Sequence, residues 1–365
     1  MKATVRRISF QDDCRILAIS DIHGNLPYLK GLLKRVRFSH NDILVLVGDM
    51  MEKGAQSLDT LHYIMELERT HHVYPICGNC DGWNRFIDMP SDDADTHIRD
   101  YILYGQGPWR HGLLYQMCEQ LGITIAPDTD MPALRAILAK EFAEEFAFLR
   151  SLPTILETEY YTFVHGGLPE GKMEDLDAFR CMKNDAFLQQ GRQMEKWCIV
   201  GHWPVVLYGG DITCANPLIH QESRIISIDG GCVLKDDGQL NALIIPENGS
   251  EAFTFDYYDS FPVRQVETVQ EASKTSAYFR YGDNHVRVLR RGEEFSLCEH
   301  VRTGYRMEIL TKYLRGDGEE CICNDCTDYA LPLRKGDLVS VIEETGRGYL
   351  VKHHGVSGWY YGTLR

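Results

Sequence analysis

Five short apolar runs along the chain each end abruptly at a polar residue or a glycine. They are residues 16–20, 43–47, 73–77, 161–164 and 198–200. Their length and their content of Val, Ile and aromatic residues are typical of buried strands. Two segments with apolar residues at helical spacing, 25–36 and 56–70, separate the first three runs. Strands that alternate with helices predict an α/β layered fold, in which ligands bind where the strands end.

The pattern changes twice after the third run. Residues 92–152 predict a helical insertion, and within it 131–152 predict one amphipathic helix that ends before a proline. Towards the end of the chain, short aromatic and β-branched runs alternate with glycine turns, which is typical of a small all-β domain. We therefore expect two domains, residues 1–262 with the insertion and residues 263–365.

Composition narrows the possible partners. The chain of 365 residues has a formal net charge of −15, which argues against a nucleic-acid or anionic-membrane partner. It has no apolar run long enough to cross a membrane, and its first residues lack the apolar core of a secretory signal. Twelve cysteines in such a chain predict reduced thiols and a cytoplasmic location. The acidic charge is compatible with a site whose positive charge comes from metal ions.

The residues that follow the five apolar runs are typical metal ligands. In chain order they are Asp21, His23, Asp49, Asn79, His165 and His202. Carboxylates, imidazoles and an amide oxygen suit a pair of divalent transition ions such as manganese, iron or zinc. Each residue alone would be an ordinary turn or loop residue, but their recurrence at successive strand ends predicts a metal centre.

These motifs resemble those of the calcineurin-like metallophosphoesterases, and within them bacterial members of the phosphoprotein phosphatase branch. The similar segments are SDIHGN, VGDMMEKG, CGNCD, VHGG and VGHWPV, and the likeness covers roughly residues 14–245. It implies a layered β-sandwich core with flanking helices. It also implies the ligand sets: Asp21 and His23 for the first ion, Asp49 for both, and Asn79, His165 and His202 for the second.

The resemblance implies an enzyme that hydrolyses phosphomonoesters, with Asp49 and Asn79 among its catalytic residues and water activated by the two ions. The third motif departs from the family, because Cys80 stands where the family has the histidine that assists the leaving group. Glu52 takes the place of the aspartate that orients this histidine. A thiol replaces imidazolium poorly, so we expect a preference for good leaving groups such as aryl phosphates, phosphotyrosine or phosphoanhydrides. Alternatively, another residue supplies the proton.

Asp81 and His202 are the first candidates for that replacement acid. For substrate binding, Lys53 stands in the place of a phosphate-binding arginine, and Asn79 contributes as well. Arg85 and Arg180 are further candidates, although either could be an ordinary solvated arginine. An alignment by eye places Asn184, rather than Arg180, at the family's other phosphate-contacting position.

Three functions remain open at this point. The first is a phosphomonoesterase that acts on a phosphorylated small molecule or, as a protein phosphatase, on a phosphoprotein. The second is a hydrolase of dinucleoside polyphosphates, similar to the family's bacterial diadenosine tetraphosphatases. The third is a weakened phosphatase that serves as a phospho-binding module.

The last part of the chain offers two weaker patterns. Residues 333–364 resemble a bacterial Src-homology-3-like module, in which Trp359, Tyr360 and Tyr361 would line a peptide or glycan groove or form core and surface of a small barrel. Just before it, a set of possible zinc ligands occurs, comprising Cys321, Cys323 and Cys326 together with Cys298 and His300. A structural zinc ion and free thiols are both compatible with this spacing.

Overall fold

The computed structural model describes residues 1–104 and 112–365. Residues 105–111 of the predicted insertion lie outside the described residues. The helices are α1 (Leu26–Arg35), α2 (Ser57–Thr70), α3 (Asn84–Asp88), α4 (Asp92–Tyr104), α5 (Leu113–Gln120), α6 (Met131–Glu141), α7 (Ala143–Ser151) and α8 (Ala178–Met182). The strands up to the end of the predicted first domain are β1 (Val5–Arg7), β2 (Ile16–Ile19), β3 (Ile43–Val47), β4 (His72–Ile76), β5 (Ile155–Glu157), β6 (Tyr161–Val164), β7 (Trp197–Val200), β8 (Thr213–Cys214), β9 (Leu218–His220), β10 (Ile225–Ser227), β11 (Leu240–Ile245) and β12 (Thr254–Tyr258).

Eleven further strands follow. They are β13 (Val263–Gln265), β14 (Tyr278–Phe279), β15 (His285–Arg290), β16 (Phe295–His300), β17 (Arg306–Leu310), β18 (Leu314–Arg315), β19 (Glu320–Cys323), β20 (Cys326–Thr327), β21 (Leu338–Thr345), β22 (Gly348–His353) and β23 (Val356–Tyr360). All five apolar runs that predicted strands contain one, as β2, β3, β4, β6 and β7.

The chain divides into two compact units. Unit 1 comprises Met1–Pro204, Pro217–Leu234 and Leu240–Tyr258. Unit 2 comprises Val205–Asn216, Lys235–Gln239 and Asp259–Arg365. Two short segments of the first part of the chain thus belong to unit 2, and the single boundary near residue 262 stays a prediction.

Unit 1 contains two sheets. One has the strand order β1-β5-β6-β7-β10-β9, and the other has the order β12-β11-β2-β3-β4. Strands β2, β3 and β4 are parallel neighbours, as are β6, β7 and β10. Because parallel strands end at the same edge of a sheet, the polar residues that follow them are brought together.

Successive side chains of the central strands point to opposite faces of the sheet, and this alternation forms the layers of unit 1. Ile16, Ala18, Val45 and Val47 pack in one buried cluster with Phe163, Ile199 and Ile226 of the other sheet. Their neighbours Leu17, Ile19, Leu44 and Leu46 point to the opposite face and pack against residues of α1, α2, α5, α6 and α7. The predicted α/β layered sandwich with flanking helices is therefore confirmed, as is the additional all-β part of the chain.

The amphipathic segment 131–152 is two helices, so the prediction of one helix is wrong. Asp130 caps the first of them by accepting a hydrogen bond from the Ala133 N–H at 2.9 Å. Phe142, with φ −118° and ψ 40°, interrupts the helical backbone between α6 and α7. Its side chain is buried in the cluster that also holds Phe146 and Phe148. The continuous apolar pattern concealed this break, because both helices bury the same kind of side chain.

Unit 2 is built from β-strands. One sheet has the order β13-β21-β22-β23-β8, another has the order β17-β16-β15-β19-β18, and β14 pairs with β20. Trp359 and Tyr360 are buried, whereas Tyr361 is exposed. The Trp359 indole N–H donates to the Thr327 carbonyl at 2.8 Å, and the Tyr360 hydroxyl donates to the Thr268 carbonyl at 2.7 Å. These contacts make the first two aromatic residues part of the core, and the Src-homology-3-like likeness stays a prediction.

In the described parts of the chain, no helix combines the length and the apolar character that crossing a membrane requires.

Candidate functional site

Loops that follow the parallel strands of unit 1 meet and are tied to one another by backbone hydrogen bonds. After β2 and β3, the Asp21 N–H donates to the Gly48 carbonyl and the His23 N–H donates to the Asp49 carbonyl, both at 3.0 Å. In the other sheet, the Gly201 N–H donates to the His165 carbonyl at 2.8 Å. The strand ends of both sheets therefore carry their polar residues on loops held in fixed positions.

Several residues at these strand ends adopt a left-handed backbone although they are not glycine. The φ angles are 56° for Asp21, 51° for His23, 49° for Asp49 and 66° for His202. Such conformations cost on the order of 1–3 kcal/mol each and cluster at functional sites. Gly78 is required for a related reason, because a Cβ atom there would lie 2.2 Å from the Asp49 backbone nitrogen. The chain is thus bent sharply to aim these side chains inward.

Asp49 lies between two histidines. Its Oδ1 atom is 3.3 Å from His165 Nε2, and its Oδ2 atom is 3.9 Å from His23 Nε2. Asp21 Oδ1 lies 3.7 Å from the same His23 nitrogen. All four side chains are at most 2% exposed. A carboxylate whose two oxygens face different imidazoles has the arrangement that a bridging ligand of two ions needs.

Buried polar atoms at this place lack partners. Six of them have no hydrogen-bond partner among the described residues: Asp21 Oδ1, both ring nitrogens of His23, Asn79 Oδ1, His165 Nε2 and Asp229 Oδ2. Buried polar groups are normally paired, so a cluster of unpaired ones indicates a missing ligand. Carboxylate, imidazole and amide donors together fit divalent transition ions. The residues present therefore fit a metal centre.

Hydrogen bonds orient two of the imidazoles. His165 Nδ1 lies 2.8 Å from the Val47 carbonyl oxygen, which makes it the donor and leaves Nε2 for an ion. His202 Nε2 lies 2.7 Å from Asp185 Oδ1, which leaves Nδ1 for an ion. Asp49, His165 and His202 each offer a ligand atom within 4.8 Å of the others. Asp21 also contacts this group, because its Oδ2 atom accepts a hydrogen bond from the backbone N–H of His202 at 3.0 Å.

The site concentrates negative charge in a buried place. Burial and the neighbouring Asp229 raise the pKa of Asp21 well above its usual value. Burial also raises the pKa of Asp229 to about 6. Burial and the nearby Lys53 lower the pKa of His23 to about 3, so this imidazole is neutral and able to bind a metal. Divalent cations would neutralise the crowded carboxylates.

Cys80 lies within the ligand cluster. Its Sγ atom, together with one ligand atom each of His23 and Asp49, forms a second group in which all atoms lie within 4.8 Å of one another. The Cys80 N–H donates to Asp49 Oδ1 at 2.8 Å, and the Asn79 side-chain amide donates to Cys80 Sγ at 3.2 Å. Burial and the Asp49 carboxylate raise the pKa of the thiol well above its usual value in the absence of ions.

Glu52 and Asp81 point to other partners. The Glu52 carboxylate accepts the Tyr101 hydroxyl at 2.5 Å and the Leu113 N–H at 2.6 Å, which ties it to the helical insertion. Asp81 is fully buried and accepts the N–H groups of Gly78 and Met50 at 2.8 and 2.9 Å. Burial and Asp49 raise the pKa of Asp81 to about 7. Glu52 is thus engaged elsewhere than at Cys80, and Asp81 links two strand-end loops.

The three basic residues that were predicted to bind the substrate lie in different places. Lys53 is half-buried, and burial lowers its pKa, but Cys80, Asp49 and Asp21 outweigh this effect and raise it. Arg85 is half-buried on α3 and folds back over Gly82. Arg180 is exposed on α8. The structure therefore brings Lys53 to the ligand cluster.

Two acidic residues of the site were missed in the sequence. Asp229 follows β10 and is fully buried, with Oδ1 accepting the Gly231 N–H at 2.8 Å. The signal was present, because the apolar run before Asp229 also ends in an acidic residue and glycines. Asp185, which contacts His202, lies on an irregular segment after α8 and gave no such signal.

The cysteines of unit 2 are arranged differently from the residues of this site. Cys323 and Cys326 have their Sγ atoms 3.9 Å apart. His300 uses Nδ1 with the Thr303 hydroxyl at 2.8 Å and Nε2 with the Asp283 carbonyl at 3.0 Å. Among the described residues, both groups of three potential ligands within 4.8 Å of one another lie in unit 1. The structural zinc at Cys321, Cys323 and Cys326 thus stays a prediction.

Comparison with curated proteins finds bis(5'-nucleosyl)-tetraphosphatases of the symmetrical type. The protein of Pseudomonas putida is 42% identical over 65 residues, which cover 18% of this chain and 22% of that protein. The protein of Vibrio parahaemolyticus is 25% identical over 178 residues, which cover 48% of this chain and 53% of that protein. The chain thus spans only about a fifth to a half of the length of these relatives.

Solved structures give weaker similarities. A protein serine/threonine phosphatase from Saccharomyces cerevisiae has a TM-score of 0.42 at 11% identity, covering 71% of this chain and 84% of that one. A cold-active protein-tyrosine phosphatase of a psychrophilic Shewanella has a TM-score of 0.41 at 15% identity, covering 70% and 82%. Because both scores lie below 0.5, they add nothing to the assignment.

A sequence profile decides the family. The profile of the calcineurin-like phosphoesterases matches residues 14–225, which is more than half of the chain and includes all six predicted ligands. Proteins of this family hydrolyse phosphoesters with the help of two divalent metal ions. The chain therefore belongs to the calcineurin-like phosphoesterase family.

Proposed function

We propose that the protein is a binuclear metal-dependent phosphoesterase that hydrolyses phosphomonoesters and favours substrates with good leaving groups. The main support is the Asp49 carboxylate, whose oxygens lie 3.3 Å from His165 Nε2 and 3.9 Å from His23 Nε2. Around it, buried ligand atoms have no hydrogen-bond partner among the described residues. This arrangement has the ligand types and the bridging carboxylate that two ions need.

In this proposal each ligand has a defined place. Asp21 and His23 hold the first ion, Asp49 holds both, and the second is held by Asn79, His165 and His202. Manganese, iron or zinc suits this donor set. When bound, the two ions activate a water molecule and neutralise charge on the phosphoryl group.

The protein's own side chains bind and position the substrate. Lys53 offers an ammonium group beside Asp49 and Cys80, where it binds the phosphoryl oxygens as a point charge. Asn79 is a second substrate contact. In this proposal Arg85 and Arg180 contact the remainder of a larger substrate. Asp81 is better suited to positioning, since its carboxylate accepts backbone N–H groups of two strand-end loops.

The preference for good leaving groups follows from Cys80. General acid catalysis typically contributes about 10²–10⁴-fold to the rate, and a thiol supplies it poorly. Glu52 does not compensate, since both of its oxygens accept hydrogen bonds from Tyr101 and Leu113. Alkyl phosphates such as phosphoserine need this help most, and aryl phosphates need it least.

A matched substrate series tests the proposal. The manganese-loaded protein is assayed on a phosphotyrosine peptide, a phosphoserine peptide, aryl phosphates of graded leaving-group pKa and a dinucleoside polyphosphate. We expect turnover that rises steeply as the leaving-group pKa falls and that Asp49→Asn abolishes. A nearly flat dependence would contradict the preference, and activity that survives Asp49→Asn would contradict the metal mechanism.

The second candidate is hydrolysis of dinucleoside polyphosphates. It is favoured by the curated relatives, which are named bis(5'-nucleosyl)-tetraphosphatases. A phosphoanhydride also has a good leaving group, so the altered acid position is compatible with it. The same series separates the two, because this candidate requires kcat/KM for the dinucleoside polyphosphate to exceed that for every monoester. A third candidate, a phospho-binding module, requires bound ions without turnover.

The natural partner is then a phosphorylated small molecule or a phosphoprotein. Unit 2 would contribute recognition of a peptide or a glycan, with the exposed Tyr361 as its available aromatic residue. Binding of such ligands to the full chain, with Tyr361→Ala as the comparison, addresses this proposal separately from catalysis.

A further inference from the structure

We infer that Cys80 is itself a metal ligand, whose sulfur binds the ion that His23 and Asp49 hold. The inference rests on the metal centre of the proposed function and adds a sulfur donor to it. In this inference Cys80, which stands in place of the family's histidine, binds the first ion and does not assist the leaving group.

The geometry shows two groups of ligand atoms that share Asp49. One group is His23, Asp49 and Cys80, and the other is Asp49, His165 and His202. In each, all three ligand atoms lie within 4.8 Å of one another. The sulfur thus has the same relation to the first group that His202 has to the second.

Independent support comes from the imidazole in the first group. His23 is 0% exposed, and neither of its ring nitrogens has a hydrogen-bond partner among the described residues. Buried polar atoms are normally paired, so a buried imidazole without a hydrogen-bond partner is consistent with a bound ligand. A cation bound by all three groups satisfies each of them.

Two hydrogen bonds hold Cys80 in position beside Asp49. The Asn79 amide donates to Sγ at 3.2 Å, while the Cys80 N–H donates to Asp49 Oδ1 at 2.8 Å. The Asn79 amide oxygen has no hydrogen-bond partner among the described residues and so is available to the second ion.

Ligation changes the chemistry of the position. When Cys80 binds the ion, the S–H bond breaks, its proton passes to solvent, and the sulfur lone pair forms the bond to the metal. A ligated thiolate then has no proton for the leaving group, which accounts for the proposed substrate preference. Thiolate is a soft donor that favours zinc over manganese. The first site is therefore expected to select zinc more strongly than a site of carboxylate and imidazole alone.

Cobalt spectroscopy tests the ligation without reference to activity. The metal-free full chain is loaded with two equivalents of Co²⁺, and the near-ultraviolet charge-transfer absorption of a cobalt–thiolate bond is recorded. We expect this band in the wild type and its loss in Cys80→Ser. The matched control is Cys77→Ser, which changes the other half-buried thiol of the same motif. Cys323→Ser serves as the control for the cysteines of unit 2.

The zinc affinities supply a second readout. Loss of a supporting group typically lowers metal affinity by roughly 10–100-fold, so Cys80→Ser should lose at least about tenfold for one of two zinc ions. Cys80→Asp should restore binding but shift the ratio of manganese to zinc affinity towards manganese. If Cys80→Ser fails to fold, the cobalt spectrum of Cys80→Asp and its ratio of manganese to zinc affinity test the inference instead. A cobalt–thiolate band that persists in either variant, or unchanged zinc affinity, would overturn the inference.

Turnover of an aryl phosphate, measured on the same samples, separates this inference from the proposed function. A band that depends on Cys80 in a protein without turnover would support the ligand and contradict the enzyme. Turnover that depends on Asp49 without a band that depends on Cys80 would support the enzyme and overturn the ligand.

Discussion

Asp49 belongs to both groups of candidate ligand atoms, and its backbone adopts a left-handed conformation there. Its φ of 49° lies in the left-handed region, at an expected cost on the order of 1–3 kcal/mol. In return, one oxygen receives the Cys80 N–H at 2.8 Å and faces His165, while the other faces His23. Asp49→Asn keeps the length of the side chain but removes its charge and replaces one ligand oxygen with an NH2 group that cannot bind an ion, so it serves as the metal-dead control.

Lys53 is the residue on which phosphate binding is expected to depend. Lys53→Met keeps most of the apolar side chain and removes its charge, so it should lower kcat/KM for aryl phosphates by roughly 10- to 100-fold. The reason is the loss of one charge-assisted hydrogen bond, which is worth about 1.5–3 kcal/mol. The measurement is steady-state kinetics with the metal content determined in parallel.

Lys34→Met provides the comparison for this variant, because Lys34 is an exposed residue in the last turn of α1. It should leave kcat/KM unchanged. A Lys53→Met enzyme with wild-type kcat/KM and full metal content would contradict the role of Lys53.

Among the secondary structure elements, the loops after β3 and β4 are joined through a buried carboxylate. Asp81 accepts the N–H groups of Gly78 and Met50 at 2.8 and 2.9 Å, and a Cβ atom at Gly78 would collide with Asp49. The Asp81 carboxylate therefore ties the two loops together. The third-motif residues Asn79 and Cys80 gain their positions from this junction rather than from local preference.

At the opposite end of the same strands, an ion pair joins β2, β3 and α1. Arg15 makes two hydrogen bonds of 2.8 Å to Asp42 and one of 3.1 Å to the Val36 carbonyl at the end of α1. Burial would raise the pKa of Asp42, but Arg15 and Ser39 outweigh it and lower the pKa. The pair therefore couples the start of two central strands to the end of a helix.

The stability that Asp42 contributes should depend on pH. We expect Asp42→Asn to lower the free energy of unfolding at pH 7 by about 1–3 kcal/mol. A carboxylate with a lowered pKa in the folded state stabilises fully above its unfolded pKa of about 3.9, and this contribution is lost as pH falls through the folded pKa. Urea denaturation between pH 7 and pH 3 measures the difference.

Asp12→Asn is the matched control, since it removes an exposed carboxylate. A difference between wild type and Asp42→Asn that stays constant down to pH 3 would contradict the assignment, because a lowered folded-state pKa requires the contribution to decline once pH falls below about 3.9.

For the molecule as a whole, the net charge of −15 and the buried carboxylates of unit 1 lead us to expect that bound metal ions stabilise the folded state. Burial and the neighbouring Asp229 raise the pKa of Asp21, and a bound cation would favour its ionised form. A ligand that binds the folded state alone stabilises it by mass action.

Removal of the ions should therefore lower the melting temperature. At a hundredfold excess over its dissociation constant, each ion adds about 2.7 kcal/mol to the free energy of unfolding. Calorimetry of chelator-treated and zinc-reloaded protein should show a reversible shift, and Asp49→Asn should show a smaller one. Equal melting temperatures, with elemental analysis confirming that two ions were removed, would contradict a stabilising metal centre.

Much of the fold and the six proposed metal ligands could be predicted from the sequence. Short apolar runs in a sequence indicate buried strands, and the polar residue that ends each run must lie at the edge of a sheet. The strands β2, β3, β4, β6 and β7 were found in this way. The apolar period could not reveal the break at Phe142, because the helices on both sides bury similar residues.

The order of residues along the chain thus specified the layered fold, the family and the ligand types, since each follows from local pattern. The contacts of Glu52 with Tyr101 and Leu113, the approach of Asp229 and Asp185 to the site, and the grouping of Cys80 with His23 and Asp49 did not follow from it. They depend on segments distant in the chain that meet only when both sheets are packed. The side-chain partners of a residue are set by that packing, because a local pattern gives the direction of a side chain but not what lies opposite to it.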